Sequence, residues 1–86
     1  MHVEIYTRTG CGFCDKAKDL LSKNNVPFLE QRLDVDFTRE NLVEKFSTAK
    51  SYPVIVVDGF YIGGYAELAA LMEEKIRDSK KLLIGD

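Results

Sequence analysis

Five consecutive residues, Pro53-Val54-Ile55-Val56-Val57, constrain the fold more than any other stretch. The run is apolar throughout and mostly β-branched, so it reads as a strand with no polar face. Such a strand needs cover on both sides of its sheet. In a chain of 86 residues that cover has to come from helices. Asp58-Gly59 then supplies a tight turn, and Phe60-Tyr61-Ile62 reads as the returning antiparallel strand of a hairpin.

The helices are legible on either side of this hairpin. Val3 to Thr7 alternates as a strand and breaks at Thr9-Gly10. From Cys11 to Asn24, Cys14, Ala17, Leu20 and Leu21 recur at helical spacing, with Asp15, Lys16, Lys18, Asp19 and Lys23 facing out. After Val26-Pro27, residues Phe28 to Val35 read as a second strand. Thr38 caps a second helix, with Asn41 closing a capping box and Leu42, Val43 and Phe46 as its inward stripe. A third helix runs from Tyr65 to about Asp78 on Leu68, Ala69, Met72 and Ile76, leaving Lys80 to Asp86 as a tail. The order β-α-β-α-β-β-α, with a right-handed first crossover that makes the first two strands parallel, closes most simply as a three-layer α/β/α domain. The expectation is a single domain, 1–86, on a mixed four-stranded sheet.

Twelve basic residues against 14 acidic leave a net charge of -2, which gives no reason to expect a nucleic-acid surface. No apolar run approaches the length of a membrane span, and Met1-His2-Val3-Glu4 lacks the basic start of a secretory leader. The expected location is therefore cytoplasmic. In a reducing cytosol, two cysteines separated by two residues point to redox or metal chemistry before a structural bridge.

Cys11-Gly12-Phe13-Cys14 stands where the first strand gives way to the first helix. Cys11 there meets unpaired amides and the positive end of the helix dipole, both of which favour its thiolate. The thiolate is the attacking species in disulfide exchange, and a thiol one turn later is placed to resolve the mixed disulfide. Cys11 is thus the candidate nucleophile and Cys14 the resolving thiol. Arg8 adds positive potential nearby, whereas Asp15 opposes ionisation of Cys14. A half zinc site would need two further ligands, and His2 is the chain's one histidine. A merely buried pair remains the plainest alternative.

Three ordered motifs, Tyr6-Thr7-Arg8-Thr9-Gly10-Cys11-Gly12-Phe13-Cys14, Ser51-Tyr52-Pro53-Val54 and Gly63-Gly64-Tyr65-Ala66-Glu67-Leu68, together resemble the glutaredoxins of the thioredoxin-like superfamily. The resemblance implies a thioredoxin-like fold and glutathione-dependent reduction of protein disulfides and glutathione mixed disulfides. It also implies a cis-proline at Pro53 that turns the Tyr52 backbone toward substrate, and packing of Phe13 against that substrate. Gly64, Tyr65 and Ala66 would offer amides to the γ-glutamyl carboxylate of glutathione, with Arg8 holding the glycyl carboxylate. Arg39 and Lys50 are further cations for that end. The implied partners are glutathione and disulfide-containing proteins, ribonucleotide reductase among them, with the protein acting as a monomer and holding no tightly bound cofactor.

The chain departs from the family pattern at three positions. Arg8 replaces the usual lysine, Tyr52 a small β-branched residue, and Ala66 an acidic side chain that meets the amino group of glutathione. Glu67 stands next to Ala66 as a substitute. A thioredoxin-type reductase is an alternative electron source. Gly12, in place of the common proline, resembles glutaredoxins that carry a bridging [2Fe-2S] cluster between two subunits.

Overall fold

A computed structural model describes residues 1–84, with side chains described through Glu74. Four strands, β1 (Val3–Thr7), β2 (Phe28–Arg32), β3 (Val54–Val57) and β4 (Phe60–Gly63), form one sheet in the order β2-β1-β3-β4. β1 pairs parallel with β2 and antiparallel with β3, which pairs antiparallel with β4. The helices are α1 (Gly12–Lys23), α2 (Arg39–Lys45) and α3 (Tyr65–Ile84). This is the three-layer α/β/α arrangement and mixed sheet that the sequence predicts.

Each face of the sheet has its own core. Val3, Ile5 and Ile55 pack with Ala17 and Leu21 of α1 and with Leu68 and Met72 of α3. On the opposite face, Tyr6, Val54 and Val56 meet Leu42 of α2, with Phe37 and Phe46 alongside. The unbroken apolar run of β3 is explained by this arrangement, since successive residues point into different cores. The phenol of Tyr6 is surrounded edge-on by Phe37 and Phe46, with ring centroids 5.1 and 5.6 Å away. Burial pushes its ionisation above the ordinary range, and the charge of Glu4 adds to the shift.

The local signals act as expected at most junctions. Asp58 and Gly59 both take positive φ, 52° and 87°, the primed turn whose twist matches a hairpin. Thr38 Oγ1 accepts from Asn41 N at 3.2 Å, and Asn41 Oδ1 accepts from Thr38 N at 3.4 Å, completing the capping box.

Three expectations need correction. The second strand stops at Arg32 instead of Val35, because Asp34 enters the left-handed region at φ 64° and Asp36 Oδ2 draws the Arg32 amide at 2.8 Å into a turn. Val43 is 49% exposed and not part of the inward stripe. α2 is only seven residues long, and its Leu42 fixes which face meets the sheet, turning Val43 about 100° away. α3 continues through Ile84, where a tail was expected from Lys80. No glycine or proline interrupts residues 65–84. The Ile76 side chain and residues 85–86 lie outside the described part.

Candidate active site

β1 ends at Thr7, and Cys11 is the N-cap of α1, with its side chain accepting from Cys14 N at 3.1 Å. The two cysteines form a disulfide, their Cα atoms 5.2 Å apart. Their surroundings differ. Cys11 is 6% exposed and Cys14 only 1%, so Cys11 is the less buried residue of the pair. The same helix-end geometry gives Cys11 Sγ an amide donor that stabilises negative charge on it.

Phe13, Tyr52, Pro53, Gly64, Tyr65 and Ala66 line one groove of about 340 Å³. These six positions, which the resemblance marks in three stretches of sequence, line the same groove. The Tyr52-Pro53 peptide is cis. Phe13 is 56% exposed, its ring 5.9 Å from that of Tyr65. Gly64 lies against the Pro53 carbonyl so closely that an added Cβ would sit 3.3 Å from its oxygen. A larger groove, of about 450 Å³, runs beside Tyr6, Phe37 and Leu42 and contains none of the predicted site residues.

Arg8 is the exception. It is exposed, donates only a long 3.4 Å bond to its neighbour Thr9 O, and does not line the groove. The cation that does line it is Lys50, while Arg39 lies outside. Lys50 is one of the cations expected at the glycyl end, whereas Lys16, solvent-facing as expected, has a contact that the sequence does not announce. Lys16 Nζ stands 5.1 Å over the Phe13 ring, a cation-π contact that the i,i+3 spacing of the two residues makes available.

At the other end of the groove, Glu67 Oε1 accepts from Gly64 N at 2.7 Å. This is the acidic half of a capping box on a residue that has no side chain to complete it. Gly63, at φ 125°, makes the fold-back feasible, since a Cβ there would collide with the Glu67 side chain. One of the three amides expected to receive a carboxylate is therefore already engaged, leaving those of Tyr65 and Ala66.

A polar clamp joins β1 and β2 to α1, the helix that follows Cys11 and carries Cys14. Thr7 Oγ1 donates to Glu30 Oε2 at 2.7 Å, and Lys18 Nζ reaches the same oxygen at 3.2 Å. The Thr7 hydrogen bond holds the Glu30 carboxyl below its ordinary range, opposed by partial burial and reinforced by Lys18. A lowered carboxylate pKa contributes stability above the unfolded value, and that contribution is lost as pH falls through the folded value. Glu30→Gln should therefore cost about 1 kcal/mol near pH 7. The gap from wild type in thermal melts should narrow below pH ~4; a gap of constant size down to acid pH would contradict the assignment.

The glutaredoxin family model matches residues 3–62, which include the two cysteines, the cis-proline and all but the last residue of the β3-β4 hairpin. The chain belongs to the glutaredoxin family. Among curated relatives, glutaredoxin 3 of Escherichia coli K12 is 39% identical over 70 residues, covering 81% of this chain and 84% of the relative. Glutaredoxin 1 of the same strain is 36% identical, covering 88% of this chain and 98% of the relative. The crystal structure of glutaredoxin 1 from Francisella tularensis complexed with cacodylate superposes with a TM-score of 0.73 at 31% identity, covering 88% of this chain and 96% of that one. This glutaredoxin is accordingly a thiol-disulfide oxidoreductase with a redox-active Cys11–Cys14 pair. Among its described residues, no helix is long and apolar enough to cross a membrane.

Proposed function

We propose that this glutaredoxin reduces glutathione mixed disulfides and protein disulfides with glutathione as electron donor, Cys11 being the nucleophile and Cys14 the resolving thiol. The observation that carries the reading is the asymmetry of the pair: Cys11 caps the helix, receives the Cys14 amide and is the less buried residue. In the first step the Cys11 thiolate attacks the glutathionyl sulfur of a mixed disulfide. The new S–S bond forms as the old one breaks, and the departing thiolate takes a proton from solvent. A glutathione thiolate then attacks the glutathionyl sulfur on Cys11, releasing glutathione disulfide and restoring the Cys11 thiolate. For a protein disulfide, the Cys14 thiol loses its proton and attacks the Cys11 mixed disulfide instead. Two electrons pass to the substrate, and the Cys11–Cys14 disulfide is left for glutathione to reduce. Ribonucleotide reductase is a protein substrate of this class.

The groove suits a ligand with separated charges. Tyr65 and Ala66 amides at the α3 N-terminus receive the γ-glutamyl carboxylate. Glu67, anchored on Gly64 N, takes the neighbouring ammonium that Ala66 cannot meet. Lys50 replaces Arg8 at the glycyl end. Glu67→Gln should then raise KM for a glutathione mixed disulfide about 5-fold with kcat little changed, the signature of lost ground-state binding. A lower KM would mean that Glu67 competes with the ligand.

The nucleophile assignment is tested by trapping. Cys14→Ser treated with glutathione disulfide should carry one glutathionyl group, located on Cys11 by mass analysis of its peptides. No adduct, or modification of Cys14 in Cys11→Ser at an equal rate, would reverse the roles.

A further inference from the structure

The active-site groove does not end at Tyr52. On the other side of that residue a second groove, of about 420 Å³, shares Lys50, Ser51 and Tyr52 with the first and reaches along α2. Its floor is aliphatic, from Leu42 and Val54, and Val43 stands at its side half exposed. The two charged side chains that line it, Arg39 and Lys50, are both cations. Neither is in an ion pair among the described residues, although the chain as a whole is acidic.

Two unneutralised cations beside an uncovered aliphatic side chain favour an occupant carrying an acidic and an apolar group close together. This surface is continuous with the groove lined by Phe13, which stands between the two cysteines, so a chain that reaches Cys11 through the first groove can extend into the second. We infer that the second groove holds the polypeptide that flanks a substrate disulfide, and that it selects substrates with an aliphatic residue next to an acidic one. The inference rests on disulfide exchange at Cys11 and not on which donor restores the dithiol.

The test uses fully reduced protein in single turnover, so that glutathione is not required. The probes are short peptides with one cysteine, held as a mixed disulfide with a chromogenic aryl thiol. Leu-Glu or Ser-Lys is placed one to three residues from the cysteine on either side. At one placement the Leu-Glu peptide should react about 10-fold faster than its Ser-Lys counterpart, with the preference shrinking as salt is raised. Arg39→Glu combined with Val43→Ser should erase the preference while leaving the rate with an unflanked cysteine mixed disulfide unchanged. Arg39→Gln alone should lose about 3-fold, which keeps the test open if the double variant fails to fold. Equal rates at every placement, or a preference that survives the substitutions, would overturn the inference. So would an equal loss with the unflanked probe, which would put Arg39 in the active-site groove. Self-association of the wild type that Val43→Ser abolishes would also overturn it, by making a second copy the occupant.

Discussion

Cys11→Ser is expected to remove disulfide exchange altogether, by about a thousandfold or more, with both small mixed disulfides and protein disulfides. A serine hydroxyl at the helix cap still accepts the Cys14 amide, so the fold is retained. At neutral pH, however, it is not ionised to a useful nucleophile. Cys14→Ser has a different consequence. It keeps reduction of glutathione mixed disulfides, which needs one protein sulfur, and loses the dithiol route to protein disulfides. Steady-state rates with the two substrate types would settle the matter, and equal losses from both replacements would contradict the division of roles. The division rests on position: Cys14 is almost fully buried within the first turn of α1, whereas Cys11 stands at the helix cap.

The second large effect concerns stability. Leu21 is fully buried on α1 and packs in the core formed by Val3, Ile5 and Leu68. Leu21→Ala should cost about 3 kcal/mol, combining lost transfer free energy with the cavity left behind. Small domains have total stabilities of about 5–10 kcal/mol, and each kcal/mol shifts their Tm by roughly 4–8 °C. A fall of about 15 °C is therefore expected by calorimetry, and Leu21→Met should lose less than half as much. A change under 5 °C for Leu21→Ala would mean that the α1 core does not hold the cysteine-bearing helix as described. The same packing carries function, since α1 sets where the Cys11 cap and the Phe13 ring face the groove.

How far the molecule could be read from its sequence varies from element to element. The break at Thr9-Gly10 and the helical spacing of Cys14, Ala17, Leu20 and Leu21 are local signals, and they suffice to place Cys11 at a helix cap. Where tertiary contacts decide, local reading falls short. The rotation of α2 is set by Leu42 meeting Tyr6, Val54 and Val56, and no spacing within seven residues distinguishes that from a stripe including Val43. Arg8 looks well placed because it is close to Cys11 in the chain, yet it lies outside the groove. Lys50, distant in sequence, is brought into it by the loop before the cis-proline. The capping by Glu67 depends on the backbone of Gly63, whose positive φ has no marker beyond glycine itself.

The most direct test of the account is glutathione-dependent reduction of a small glutathione mixed disulfide, coupled to NADPH oxidation through glutathione reductase, for the wild type and Cys14→Ser. Robust turnover by both proteins is the predicted result and would fix glutathione as the donor and Cys11 as the reacting sulfur. No turnover by either, with activity restored by a thioredoxin-type reductase, would contradict the glutathione reading while leaving the dithiol chemistry in place.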